Sequence, residues 1–384
     1  MKKYLFSLII TAVVFSTDSF AQKTVFKIGV FAPLYLDSAF NNNSLHGNTI
    51  PKYTLPALEF VQGAMIAFDT LSFPDLIIEA HIYDVKSATE PLSMLIKNKE
   101  LDSLDLLIGG VKDLDYKMLA DYALRKNTPF ISCVYPNDGG VTGNPFVAIV
   151  NSTLKAHCEA IYTYIVQKHG TDKILLVKKS GTQEDRIAEY FKKINAQDNL
   201  LSITTITADS VTTTLLKNKL DSNFKTVIIG ASLDERFVKN LTDASFALKN
   251  KYNITLIGMP NWDGFKIFAK KGAYKNMPVY YTTPHFSSGS TFDNYLINSY
   301  NRMYKGNPTD LVFKGFENVF YFTNLLVKYP NDLMSHLNDP NNMVIHEFNF
   351  KPVYVGKKTS VPDYFENKHL YLIRMMNGTV TREW

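Results

Sequence analysis

Runs of apolar residues alternate with segments of helical periodicity along most of the chain. The apolar, β-branched run at residues 25–33 (VFKIGVFAP) predicts a buried strand. Residues 58–71 place Phe60, Ala64 and Ala67 on one face of a helix. Further strands are predicted at 75–83, 105–108 and 129–132, and further helices at 91–99 and 114–126. Four strands separated by helices are typical of a parallel sheet with right-handed crossovers.

The same alternation restarts after a turn-rich stretch at residues 136–145 (PNDGGVTGNP). A helix at 153–168 and a strand at 173–177 open the second unit, and strands at 225–229 and 253–257 continue it. The remaining predicted elements are a strand at 278–281, helices at 291–304 and 310–329, and a β-rich tail at 343–384. The pattern predicts an α/β protein of two similar lobes, with the chain passing between them more than once.

The first 21 residues predict an export signal. Lys2 and Lys3 precede a short apolar run, and small residues lead to Ala21, the expected cleavage point. The apolar run is shorter than the roughly 20 residues that span a bilayer. No cysteine follows the cleavage point, and no later segment is apolar enough to insert in a membrane. We therefore expect residues 22–384 to be exported to the periplasm without a lipid anchor.

Composition and charge exclude several classes of protein. The 384 residues are 46% hydrophobic and 20% charged, which excludes a disordered chain, a collagen and a disulfide scaffold. The 41 basic and 36 acidic residues are interspersed, whereas a nucleic-acid footprint needs clustered Lys and Arg. We therefore expect no nucleic-acid partner. Cys133 and Cys158 are two buried thiols or, as the less favoured alternative, a disulfide.

Motifs for catalysis, cofactors and metals are missing from the sequence. None of the eight histidines lies in a zinc-binding spacing, and the chain has neither a G-x-S-x-G elbow nor a phosphate-binding loop. His157-Cys158-Glu159 lacks the second half of the zinc deaminase signature. His285 either faces a cleft or packs in a hinge, and the second alternative is favoured. We expect a non-enzymatic protein without a cofactor or a metal.

Several stretches resemble the type I periplasmic binding proteins, the group that contains the branched-chain amino-acid receptors of ABC transporters. KIGVFAPLY at 27–35, ALEFVQGAMIAFD at 57–69 and the strand–glycine turn–helix–strand at 104–132 are similar to the first lobe. Residues 226–238, 253–262 and 298–322 are similar to the family's second lobe and to its return to the first lobe. The resemblance covers essentially the whole chain after the signal. Within the family, the sequence looks like a member of a Bacteroidota-type branch.

The resemblance implies two Rossmann-like lobes with parallel sheets, joined by a three-crossing hinge. Lobe one would comprise 22–147 plus 281–340, and lobe two 148–280 plus 341–384. Such proteins close their lobes over a ligand, so we expect a small polar ligand (an amino acid or a related amine) and a membrane permease or sensor as partner. Bacterial repressors share the fold, but they carry a DNA-binding helix pair where this chain has its export signal.

The candidate ligand-binding residues lie in loops after the strands, because ligands bind beyond the carboxyl ends of open parallel sheets. They are Tyr35, Asp113, Asp115, Ser132, Tyr135, Ser180, Gln183, Trp262 and Asp263. Asp113 and Asp115 would repel a carboxylate and favour an amine or hydroxyls, although carboxylates at a helix start also complement the helix dipole. Trp262 is either a cleft wall or a core residue.

Two other function classes stay open at this level. An envelope protein that binds a partner or has a structural role would keep the fold without a small ligand, and the unusual ligand loops favour it. An exported enzyme is supported by the acidic pairs alone.

Overall fold

The structure is a computed structural model that describes residues 23–41, 44–269, 272–286, 289–356 and 360–384. The predicted signal peptide lies outside the described residues. In chain order the strands are β1 (Thr24–Ala32), β2 (Phe40–Asn41), β3 (Ser44–Leu45), β4 (Leu76–Asp84), β5 (Leu106–Gly109), β6 (Phe130–Ser132), β7 (Val147–Ile149), β8 (Lys173–Lys178), β9 (Ile203–Thr207), β10 (Thr226–Gly230), β11 (Ile254–Ile257), β12 (Val279–Thr283), β13 (Phe350–Val353), β14 (Tyr364–Asn367), β15 (Tyr371–Met376) and β16 (Thr379–Arg382).

The helices lie between these strands, as the alternating pattern predicts. They are α1 (Leu36–Ala39), α2 (Leu55–Thr70), α3 (Leu92–Lys97), α4 (Asp113–Lys126), α5 (Leu154–His169), α6 (Thr182–Asp198), α7 (Thr213–Lys217), α8 (Glu235–Leu248), α9 (Lys266–Ala269), α10 (Thr291–Tyr304) and α11 (Asp310–Lys328). Short 3-10 helices lie at Pro260–Gly264, Leu333–Ser335 and Pro340–Asn342. In the described part of the chain, no helix has both the length and the apolar character to cross a membrane.

Two sheets of seven described strands form the centres of two lobes. The first has the order β13-β14-β7-β6-β5-β1-β4, and the second has the order β16-β15-β12-β11-β10-β8-β9. Each contains a run of parallel strands, with β13 antiparallel in the first sheet and β15 antiparallel to both of its neighbours in the second. These are the two α/β lobes that the sequence pattern predicts.

The chain crosses between the lobes after β7, after β12 and after β14. The last crossing comes later than the expected boundary at residue 340, because β14 pairs parallel with β7 in the first sheet and Phe365 lies opposite Ala148. The first crossing follows Ile149, the end of β7, instead of residue 147. Residues 350–367 therefore belong to lobe one, while β15 and β16 complete lobe two.

Helices α2 and α11 pack backbone against backbone on the first sheet. A Cβ added to Gly315 would lie 1.9 Å from the carbonyl oxygen of Phe60, and one added to Gly63 would lie 2.0 Å from that of Val312. Only glycine allows so close an approach, since real Cβ atoms do not come within 3.0 Å of a neighbouring atom. The contact fixes α11, so that its first two turns border the space between the lobes.

Candidate functional site

A cleft lies between the carboxyl ends of the two sets of parallel strands. It contains two adjoining cavities of about 420 and 650 Å³, which share Pro136, Asn151 and Lys314. The smaller cavity has walls from both lobes, with Tyr135 on one side and Gln183 on the other. The larger cavity lies against lobe one. A space bounded by both lobes is one in which a single molecule can contact both.

The loop after β1 is held by an aspartate at the end of the neighbouring strand. The Asp84 carboxylate accepts hydrogen bonds from the backbone N–H groups of Leu34, Tyr35 and Leu36 at 2.9, 3.1 and 2.8 Å. Tyr35 takes a left-handed conformation there, with φ 55°, and lines the larger cavity. Strained backbone of this kind persists only where its surroundings fix it. The three N–H bonds provide that restraint.

A second acidic residue, in the short helix α1, ties this part of the chain to the segment after β4. Asp37 accepts hydrogen bonds from the Ser87 hydroxyl at 2.9 Å and from the Ala88 N–H at 2.7 Å. These bonds, the Ser87 hydroxyl first, lower the pKa of the Asp37 carboxyl. Hydrogen bonds to the Asp84 and Asp37 carboxylates thus hold the lobe-one rim of the cleft together.

Asp113 and Asp115 have different environments at the start of α4. The Asp115 carboxylate forms an ion pair with the Lys86 ammonium at 2.7 Å, and this hydrogen bond is the main cause of the raised pKa of Lys86. Asp113 is exposed and accepts a 3.2 Å hydrogen bond from the Tyr135 hydroxyl. Both line the larger cavity. Because Asp115 already has a cationic partner, Asp113 is the carboxylate of this pair that faces the cleft without one.

Lys314 stands at the junction of the two cavities. Its ammonium forms no hydrogen bond or ion pair with any residue that the structure describes, and burial lowers its pKa. The charges of Asp310 and Asp263 oppose that effect from a greater distance. A desolvated ammonium that lacks an adjacent anion is a strong site for an anionic group of a ligand.

Asp263 places a carboxylate on the lobe-two side of the cleft. It lies in the 3-10 helix Pro260–Gly264 and lines the smaller cavity, where partial exclusion of water raises its pKa. The neighbouring Asn261 donates its side-chain N–H to the carbonyl of Leu233 at 3.0 Å. The Oδ1 atom of Asn261 has no hydrogen-bond partner among the described residues. Lobe two therefore presents oxygen acceptors across from Lys314.

Trp262 belongs to the core and corrects the expectation that it lines the cleft. Its side chain is 0% exposed, and its indole N–H donates to the carbonyl of Ser232 at 3.1 Å. The ring packs against Gly258 and Gly230, where an added Cβ would lie 2.0 and 2.4 Å from ring atoms. On the short helix, Asn261 and Asp263 line the cavity, while Trp262 between them packs into the core of lobe two.

The structure brings together six of the nine predicted residues. Tyr35, Asp113 and Asp115 line the larger cavity, and Tyr135, Gln183 and Asp263 line the smaller one. Ser132 is fully buried at the end of β6, and neither it nor the exposed Ser180 lines either of these cavities.

Sequence reasoning missed Lys314, Lys86 and Asn151, and it left His285 open. His285 lines the smaller cavity, and it also packs edge-on against His346 with ring centroids 5.2 Å apart. The available signal for Lys314 was its place in the first turns of α11, four residues after Asp310.

One group of residues has the chemistry of a metal site. His285, Glu317 and His346 each offer a ligand atom, and these atoms lie within 4.8 Å of one another. His285 lines the smaller cavity, whereas Glu317 and His346 are buried.

Solved structures share this architecture at low sequence identity. A branched-chain amino acid ABC transporter protein described as putative, from Rhodospirillum rubrum, aligns with a TM-score of 0.66 at 9% identity over 94% of this chain and 100% of the other. A branched-chain amino acid ABC transporter periplasmic ligand-binding protein from Burkholderia xenovorans gives 0.61 at 12%, covering 94% of each chain. An ABC transporter substrate-binding protein from Desulfitobacterium hafniense in complex with Leu gives 0.57 at 14%, over 94% of this chain and 100% of the other.

These likenesses establish the fold. The chain has the two-lobe type I periplasmic binding fold, as its sequence resemblance implied. No family model matches the sequence. No curated protein sequence matches it either.

Proposed function

We propose that this protein is an exported, non-enzymatic solute-binding protein of the periplasm whose two lobes close over a small polar ligand. The carrying observation is the unpartnered Lys314 ammonium in a cleft that is bounded by both lobes. The fold supports the proposal, since similar structures are described as substrate-binding proteins of ABC transporters. An ABC-type permease or a membrane sensor would read the closed state.

The charges of the cleft favour a ligand that carries both an anionic group and an amine or hydroxyls. Lys314 would bind the anion, which removes the objection that Asp113 and Asp115 repel a carboxylate. Asp263 and Asp113 would accept hydrogen bonds from an amine or hydroxyls. An amino acid or a related amine meets these requirements, and the 420 Å³ of the smaller cavity suits a molecule of that size.

Closure would follow from contacts that only the closed state makes with the ligand. Tyr135 and Lys314 come from lobe one, and Gln183 and Asp263 from lobe two. A ligand that touches both sets binds the closed arrangement more tightly, and it shifts the equilibrium by that difference in affinity.

The buried pair of His157 and Thr282 is the arrangement closest to a catalytic one at this cleft. His157 Nδ1 and the Thr282 hydroxyl are 2.8 Å apart, which is the distance of a base from a nucleophile. However, the Thr282 side chain is 0% exposed, and burial lowers the pKa of His157 to about 3. A weakly basic imidazole beside an inaccessible hydroxyl supports a structural role.

A second candidate function rests on exposed apolar side chains at the lobe-one rim. Leu114 is 67% exposed, and Leu36, Phe40 and Tyr53 are exposed on the neighbouring segment. Apolar groups of this kind at a rim are typical of a protein contact surface. An envelope protein that binds a partner through this rim, without a small ligand, is the alternative.

Thermal unfolding of the purified chain without its first 21 residues tests the proposal. The panel comprises amino acids, hydroxy acids, polyamines, sugars and nucleosides. A ligand at 100 times its Kd should add about 2.7 kcal/mol of stability. The Lys314→Met variant removes the ammonium and keeps the aliphatic stem, and Lys219→Met removes an exposed lysine of lobe two as the matched control.

Lys314→Met separates a binding role from a structural one. We expect the ligand-induced shift to disappear while the ligand-free protein unfolds at the same temperature or a higher one, because an unpartnered charge in a half-buried position is lost. Lys219→Met should retain the shift. A panel without any shift, and no molecule co-purifying in native mass spectrometry, would favour the partner-binding alternative.

A further inference from the structure

Three separate segments of the chain meet beside the smaller cavity, which His285 lines. His285 follows β12 on the second crossing, Glu317 lies in the second turn of α11, and His346 precedes β13. Glu317 and His346 are almost fully buried, at 1% and 4% exposure. A buried carboxylate is costly unless it is paired, so its contacts decide what this cluster can do.

Glu317 binds His346 through both of its oxygens. Oε1 accepts the backbone N–H of His346, and Oε2 contacts the ring Nδ1, each at 2.6 Å. A proton on Nδ1 bridges these two atoms when no ion is bound, and an ion that displaces the proton would be held by the same two atoms. One imidazole nitrogen, Nδ1, and one carboxylate oxygen, Oε2, are thus held side by side as possible ligand atoms.

The outward nitrogens of the two histidines lack partners. Nε2 of His346 and Nε2 of His285 are both buried, and neither forms a hydrogen bond with a described residue. The two rings are nearly perpendicular, with an interplanar angle of 76°. Buried polar atoms without partners cost free energy, so Nε2 of His285 is a ligand atom that an ion in this cluster could satisfy.

We propose that His285, His346 and Glu317 bind a divalent transition-metal ion, with Zn²⁺ as the chemical type. Two imidazoles and a carboxylate are a ligand set that Zn²⁺ accepts. Bonds of about 2.0–2.2 Å place ligand atoms about 3.3 Å apart. The cluster, within 4.8 Å, thus contracts by about 1.5 Å on binding, a distance that side-chain rotation covers.

A second carboxylate supplies the second negative charge that would balance a divalent ion. Asp293 is 1% exposed in the first turn of α10, and it interacts electrostatically with His346. Its Oδ1 atom is buried without a hydrogen-bond partner among the described residues. Glu317 and Asp293 together balance the two charges of the ion.

The ion would connect the second crossing to lobe one. His285 moves with the crossing, whereas Glu317 belongs to a helix that is packed tightly on the first sheet. His285 lines the same cavity as Lys314, but Lys314 is not one of the three ligands, so zinc binding can be tested whether or not the cleft binds a solute.

Zinc titration of the untagged protein, after treatment with EDTA, tests the site. We expect one equivalent of Zn²⁺ to bind in calorimetry, with an upward shift in unfolding temperature. His285→Gln and His346→Gln should each weaken binding at least tenfold. His169→Gln is the matched control, since His169 has a carboxylate partner, Asp172 at 2.7 Å, and no role in the cluster.

The metal-free variants need a separate check of folding, by circular dichroism in EDTA. His285 is half-buried on the cleft, so His285→Gln is the variant expected to fold without difficulty. Co²⁺ absorption in the wild type reports nitrogen and oxygen ligands directly. The proposal is overturned if the wild type binds no Zn²⁺, or if a folded His285→Gln variant keeps wild-type affinity.

Discussion

Replacing Gly315 with alanine should push α11 away from α2 and destabilise lobe one. The added Cβ would lie 1.9 Å from the carbonyl oxygen of Phe60, more than 1 Å inside the shortest contact that real Cβ atoms make. The obstacle is the backbone of a helix, so it cannot rotate away as a side chain would. Overpacking of this kind costs about 3 kcal/mol at the upper end of its usual range.

Part of this cost is offset because alanine favours the helix. Alanine in a helix interior is better than glycine by about 1 kcal/mol. The net loss is therefore about 2 kcal/mol, or roughly 4–8 °C in the unfolding temperature of a lobe of this size. Urea unfolding followed by circular dichroism measures the change directly.

The controls use other glycines of the same chain. Gly264→Ala places a Cβ in open space, with no atom within 4 Å, and should leave the stability within about 0.5 kcal/mol of wild type. Gly63→Ala wedges the same two helices apart, so the double variant with Gly315→Ala should lose less than the sum of the two single losses. A Gly315→Ala protein as stable as wild type would refute the tight packing of α2 on α11.

Two further predictions concern buried titratable groups. His157 has a folded pKa of about 3 against about 6.5 unfolded, so the unfolded chain takes up a proton below pH 6.5 and stability is lost as pH falls towards 3. The free-energy advantage of wild type over His157→Gln should thus shrink by about 2 kcal/mol between pH 7 and pH 5, and a pH-independent difference in urea unfolding would contradict this. Cys133 and Cys158 are buried free thiols, one in each lobe, and burial raises the pKa of both. Both should react with a thiol reagent in urea and neither in buffer, whereas a non-reducing mass showing a disulfide would be the opposite result.

Most of the lobe architecture could be predicted because a buried parallel strand has a distinctive sequence. Residues 25–33 are apolar on both faces, and the structure has β1 at Thr24–Ala32. By contrast, β14 at Tyr364–Asn367 is short and polar in part, and its place beside β7 is decided by pairing across more than 200 residues. The expected boundary at 340 was wrong for that reason.

The position of the cleft could be predicted from the sequence, but the arrangement of its charged side chains could be predicted only in part. Loops after parallel strands must lie at one edge of a sheet, and Tyr35, Asp113 and Tyr135 line the cavities there, while their contact with a ligand stays a prediction. The environment of Lys314 depends on the glycine contact between α2 and α11, and helical periodicity carries no information on that distance. Trp262 shows the converse, since a large residue in a cleft loop can turn inward when glycines leave room for it.

Lobe one is assembled from two distant stretches of the chain, and this bears on when it can fold. Its sheet lacks β13 and β14 until Asn367 has been made, and α2 lacks its partner α11 until residue 328. Domains fold as units during synthesis, so a nascent first half would keep Phe60 and the neighbouring apolar side chains uncovered. The order of the segments thus delays compaction until nearly the whole polypeptide is available, and the export proposed for this protein would require a chain that is still unfolded.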